Sequence, residues 1–161
     1  PVTDSDDLAT QKTLGLAYSE AGRYREAIAT FEKARRVDPG DPKLLENLGI
    51  VKLRMERPAE ARDLLRQAIA ANANLPVSWN SLGVALYQTR DVAGALDAWE
   101  HAAKLDPRQF DALYNLGLVA AEAGQNERAK SALRRFIATA PIPRFGPDLD
   151  KARRLLERLE R

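Results

Sequence analysis

"TLGLAYS" (13–19), "NLGIVKL" (47–53), "SLGVALY" (81–87) and "NLGLVAA" (115–121) are four versions of one phrase, each with Leu-Gly at its second and third places. Gly15, Gly49, Gly83 and Gly117 stand 34 residues apart, and Leu14, Leu48, Leu82 and Leu116 keep the same step. So do Ala27, Ala61, Ala95 and Ala129. Three columns in register over four copies signal an architecture of stacked repeats. The units run 8–41, 42–75, 76–109 and 110–143.

Each unit reads as two helices. In 76–109 the first, "PVSWNSLGVALYQT", sets Trp79, Leu82, Gly83 and Leu86 on one face. The second, "DVAGALDAWEHAAKL", does so with Val92, Ala95, Leu96, Trp99, Ala102 and Ala103. Both follow the period of an amphipathic helix, and no alternating β-branched run suggests a strand. Asp41 before Pro42 has the form of an N-cap with Pro at the first helical position. Unit ends carry breakers: "DPGDP" at 38–42, "DP" at 106–107 and "AP" at 140–141. A helical Gly costs about 1 kcal/mol against Ala, so four in register imply a packing benefit. The expectation is that each Gly faces the Ala of its unit's second helix, letting the two backbones approach.

Composition bounds the rest. With 161 residues, 45% apolar and 30% charged, the chain suits one globular domain. No apolar run approaches the roughly 20 residues of a membrane span, so no membrane insertion is expected. "PVTDSDDLAT" lacks the basic flank and apolar core of a signal peptide. Its missing Met suggests a processed or excised piece. Zero cysteines exclude disulfides and thiol or Cys-zinc chemistry. The compartment stays unknown, cytoplasm and periplasm suiting such a chain equally. The net charge of +2 comes from the tail, where residues 144–161 hold six Lys/Arg against four Asp/Glu. The preceding body holds 19 of each and is neutral, which disfavours nucleic acid as a partner.

These columns resemble the tetratricopeptide repeat (TPR) family, whose pattern is Trp, Leu-Gly, Tyr, Ala, Phe, Ala and Pro within 34 residues. The first unit shows Leu14-Gly15, Tyr18, Ala27, Phe31, Ala34 and Pro39; the third shows Trp79, Leu82-Gly83, Ala95, Trp99, Ala102 and Pro107. The second departs, with Leu45 for the aromatic residue, Lys52 for Tyr and Ala73 for Pro. The fourth puts Phe136 where a small Ala is usual, which suits a last repeat with no fifth unit pressing on it. The resemblance implies an all-α fold, a right-handed α-solenoid of helix–turn–helix repeats whose inner face is lined by the first helices. Residues 1–7 are then an N-terminal flank and 144–161 a capping helix. The cap begins near Pro147 and turns Leu149, Ala152, Leu155, Leu156 and Leu159 inward. Glu157 and Glu160 argue against reading it as a DNA-binding basic helix.

Little in the sequence could carry chemistry. His101 is the one histidine, expected on an exposed side, with no second His or Cys to form a dyad or metal pair. "DSDD" at 4–7 lacks the Gly and Glu of a calcium loop. Trp79 and Trp99 fall in core columns. The chain is therefore read as non-enzymatic, without cofactor or metal.

What remains is the surface. TPR resemblance implies that the concave face binds an extended peptide or helix of a protein partner. The implied groove residues are Lys12, Leu16, Asn47, Ile50, Asn80, Val84, Tyr87, Tyr114, Asn115 and Leu118. Leu16, Ile50, Val84 and Leu118 form one aliphatic column, for which inter-helix core is the competing reading. Asn47 and Asn115 each offer a donor and an acceptor to a peptide unit. Inner helices about 10 Å apart imply a ligand of roughly ten to twelve residues. The family's carboxylate clamp is not expected: Lys12 and Asn47 match it, but Leu16, Val77 and Ser81 occupy the other places. The alternative is a regulatory or self-associating module of a larger bacterial multidomain protein, an enzyme among the options.

Overall fold

The computed structural model describes residues 4–161, with side chains from Asp7 onward. Among them are nine α-helices and no strand. They are α1 (Asp4–Glu20), α2 (Tyr24–Val37), α3 (Pro42–Arg54), α4 (Pro58–Ala71), α5 (Pro76–Gln88), α6 (Val92–Leu105), α7 (Phe110–Glu122), α8 (Asn126–Thr139) and α9 (Ile142–Glu160). The "DSDD" stretch falls in the first turn of α1, the side chains of residues 4–6 lying outside the described ones.

Successive helices pair into hairpins, and each even-numbered helix also packs on the odd one that follows. Odd-numbered helices touch the next odd one along the whole row, α1 to α3 and on to α7 with α9. The backbones of the even-numbered helices stand further apart, α6 and α8 meeting through long side chains, Arg128 with Asp97 and Glu100 and Arg135 with the Ala103 carbonyl. A row whose backbones approach more closely on one side must curve toward that side, so the odd helices line the concave face.

The same turn chemistry recurs at every hairpin. Gly22, Glu56, Arg90 and Gly124 sit 34 apart with φ of 73°, 58°, 70° and 72°. At each, two amides reach back to close the helix. The Gly22 amide donates to Ser19 O at 3.1 Å and the Arg23 amide to Tyr18 O at 2.8 Å, with the same pair at Glu56/Arg57, Arg90/Asp91 and Gly124/Gln125. This is the left-handed helix stop that satisfies the last carbonyls. After the second helices, Asp38, Asn72 and Asp106 each accept the amide two residues on, at 3.2, 2.9 and 2.9 Å. The expected cap is present: Asp41 accepts the Lys43 and Leu44 amides at 2.9 and 3.0 Å, with Pro42 in the first turn.

The glycine column packs differently from the expectation. Ala27, Ala61, Ala95 and Ala129 are all fully buried, yet the nearest groups to the glycines are larger side chains. A Cβ on Gly83 would stand 2.5 Å from Trp99 Nε1, one on Gly49 2.7 Å from Leu65 Cγ and one on Gly117 2.6 Å from Leu133 Cδ2. Gly15 meets the Phe31 ring in the same way. Each Gly thus clears room for the residue sixteen places on, a reach that one helix turn of spacing does not reveal.

Phe136 is fully buried, and it is Phe145 of the tail helix α9, in place of a fifth unit, that stands edge-on to it at 5.5 Å. The chain breaks helical geometry at Phe145 (φ −117°, ψ 15°), which seats that ring against both Phe136 and Phe110. From there Leu149 and Ala152 are buried, with Leu155, Leu156 and Leu159 half-buried against the same cluster.

Candidate functional site

On the concave side, the residue after each packed Gly turns outward. Leu16 is 42% exposed, and Ile50, Val84 and Leu118 are half-buried, whereas Leu48, Leu82 and Leu116 on the same helices are buried. Leu16, Asn47 and Ile50 come together in a cleft of about 130 Å³ between α1 and α3, with Ser19, Glu20, Phe31 and Arg54. Arg54 donates to both the carbonyl and the hydroxyl of Ser19, each at 3.2 Å.

Further along, Tyr87 is exposed on α5 and leans over the Trp99 ring at 6.0 Å. Its hydroxyl donates a long hydrogen bond of 3.5 Å to the Glu122 carboxylate. The two residues line a second cleft, of about 250 Å³, with Arg90, Val92 and Val119. Asn80 is half-buried with its side-chain oxygen enclosed and unpaired, and Asn115 is half-buried on α7.

Two sequence-derived positions are drawn elsewhere. Lys12 forms an ion pair with Asp41, tying α1 to the start of α3. Burial pushes the Asp41 carboxyl up, but the hydrogen bond from Lys12 and the capped amides outweigh it and hold the group below the ordinary Asp range. Tyr114 packs its ring on Phe136 at 5.2 Å and turns its hydroxyl toward Asp148 of α9. Burial, and then the Asp148 charge and hydrogen bond, raise its phenol above the usual value. In the same register as these two, Glu46 is only 2% exposed. It is paired with Lys43 and accepts from Ser78 Oγ at 2.6 Å, inside the seam between α3 and α5.

Sequence reading missed the inward ties. Arg144 pairs with Asp111 at 3.0 Å, so the cations Lys12, Lys43, Arg54 and Arg144 each have a partner within the molecule. Residue type marked these positions as charged, but only the fold shows which acid or oxygen each one meets. Trp99 is buried as expected, with its indole N–H unpaired over Gly83. Trp79 is instead half-buried, donates to Ala73 O at 2.9 Å and stacks on exposed His101 at 4.6 Å. Among the described residues no helix is long and apolar enough to cross a membrane, and none of their acids and histidine cluster as a metal site.

Models of the tetratricopeptide repeat match residues 18–82 and 81–141. The chain belongs to the tetratricopeptide repeat family. It is 32% identical over 123 residues to BBSome complex member BBS4 of Mus musculus, covering 76% of this chain and 23% of that protein. The chain therefore spans less than a quarter of that relative. Among solved structures it resembles YrrB, described as a TPR protein with an unusual peptide-binding site. That match has 28% identity and a TM-score of 0.72, covering 86% of this chain and 71% of that one. It also resembles the first TPR of Spaghetti (RPAP3) bound to HSP90 peptide SRMEEVD, with 25% identity and a TM-score of 0.72 over 76% and 98% of the two chains. The two solved structures are TPR proteins, described with a peptide or a peptide-binding site. This is a protein–protein interaction fold.

Proposed function

We infer that this chain is a non-catalytic module that holds an extended or helical segment of a protein partner along its concave face. The observation that carries this is the column Leu16, Ile50, Val84 and Leu118. Four aliphatic side chains stand in one register, Leu16 exposed and the others half-buried, while Leu48, Leu82 and Leu116 beside the last three are buried. An apolar stripe flanked by Asn47, Asn80 and Asn115 suits a peptide that inserts aliphatic side chains and uses the amides for its backbone. A terminal carboxylate is not the expected anchor, because Leu16, Val77 and Ser81 stand where the carboxylate clamp has its polar groups and Lys12 is engaged by Asp41.

Selection of peptides from a random library on the immobilised protein, followed by titration calorimetry, tests the reading. Ile50→Ser and Val84→Ser should each weaken a selected ligand about tenfold, roughly 1.4 kcal/mol, with the melting midpoint nearly unchanged. Ligands that bind these variants and Asn47→Ala as tightly as the parent would sink it. A second reading, that the chain is one module of a longer protein, is favoured by its matching only 23% of the BBS4 length. Nucleic acid is not proposed as a ligand, since the basic residues of α9 are interleaved with Glu157 and Glu160.

A further inference from the structure

The seam between hairpins is built three times among the described residues, and on α1 no described helix lies over the matching face. Leu48, Leu82 and Leu116 are 0%, 6% and 3% exposed because α2, α4 and α6 lie over the helices that carry them. Leu14, in the same register on α1, is 41% exposed. Ala17 is exposed too, where its counterparts Val51, Ala85 and Val119 are buried. Shallow depressions lined by Ala9, Thr13, Leu14 and Ala17 run along this face. It bears no charged side chain between Leu8 and Ala17 apart from Lys12, which is held by Asp41.

We propose that the outer face of α1 is a docking surface for an amphipathic helix of the α4 kind. The face continues the established inter-hairpin interface, so its cover can be read from the three covers already present. Its closest chemical twin is α5: Thr10, Leu14 and Ala17 correspond to Ser78, Leu82 and Ala85, a small hydroxyl, a leucine and an alanine. The helix over Leu82 and Ala85 is α4, which buries Ala61, Leu64, Leu65 and Ala68 between α3 and α5, while the Ser78 hydroxyl bonds Glu46 of α3. A partner helix with that Leu/Ala stripe and a polar back fits; a bulky aromatic stripe does not match the alanine floor. The surface is separate from the groove column and acts independently of it.

The probe is a synthetic helix of residues 58–71, cross-linked between positions 66 and 70, both exposed in the parent fold, so that it stays helical. It is titrated to about 1 mM into the isotopically labelled full chain and followed by amide NMR. Shift changes should concentrate on residues 9–21, and Leu14→Lys should weaken binding at least about tenfold while leaving the spectrum of α5–α9 intact. Val84→Ser should leave binding unchanged. Changes centred on Ile50, Val84 and Leu118, or none at the highest concentration, overturn the proposal. So does a concentration-dependent dimer that Leu14→Lys dissociates while the peptide fails to bind, since the occupant would then be a second copy.

Discussion

At Gly83 the hydrogen side chain is required by one neighbour, the indole of Trp99, and the same relation holds from Gly49 to Leu65 and Gly117 to Leu133. Gly83→Leu should therefore cost about 1–3 kcal/mol by overpacking, measured as a lowered urea midpoint. A midpoint equal to the parent's would show that the indole can move aside and that the column is not a packing device. Ala95→Leu, at a fully buried site, should behave alike. The left-handed turn column makes the opposite prediction. Gly22 and Gly124 suit positive φ, but Glu56 and Arg90 hold it with a side chain attached. Glu56→Gly and Arg90→Gly should each stabilise by about 0.5–1 kcal/mol, the left-handed penalty less the entropy of a freer unfolded chain; a drop in melting temperature for both would refute this. The Gly-Leu column was legible because glycine is rare inside helices. The turn column was not, because Glu56 and Arg90 carry no residue-type mark of the conformation that they share with two glycines.

Among elements, α3 shows how a start signal in the sequence gains a second role in the fold. Asp41 was readable as a cap from Pro42 beside it, but its ion pair with Lys12, 29 residues back, was not. Asp41→Ala should cost about 1–2 kcal/mol, as loss of a helix cap does. Asp41→Asn should cost less, because an amide oxygen can still cap; its own cost reports the Lys12 pair, and the further cost of Asp41→Ala reports the cap. The folded Asp41 carboxyl titrates below its ordinary value. Its contribution is thus fully present above the unfolded value of about 3.9 and is lost as pH falls through the lower, folded one. Thermal melts from pH 7 down to about 3 should show the parent losing stability on the acid side more steeply than Asp41→Asn; parallel curves would remove the linkage. The tail of the chain carries a similar lesson. A Phe in a small-residue column marked the last repeat, but not its partner: Phe145 fills the space beside Phe136 from an element whose entry geometry no periodicity describes. Phe136→Ala should cost about 3–5 kcal/mol.

For the molecule as a whole, repeat number and helix order followed from a 34-residue period, and curvature from the closer approach of the odd helices. The candidate groove was less readable, since a column can be named from its register while its exposure depends on whether a neighbouring helix lies over it. Leu14 and Leu82 are the same residue in the same register, yet one is 41% exposed and the other 6%. Such differences should also set local stability, because in a stacked array each hairpin is held by itself and its neighbours. Helix α5 packs on α3, α4, α6 and α7, while α1 packs on α2 and α3 only. Native-state hydrogen exchange should therefore find the slowest amides in α5 and α6 and the fastest helical ones in α1, with opening free energies rising inward from that end. Phe136→Ala should speed exchange in α8 and α9 more than in α1 and α2, since the lost contacts lie with Tyr114 and Phe145. Equal protection from α1 to α9, shifted by the same amount in the variant, would mean that the array opens as one unit. Nearest-neighbour packing would then not be what apportions its stability.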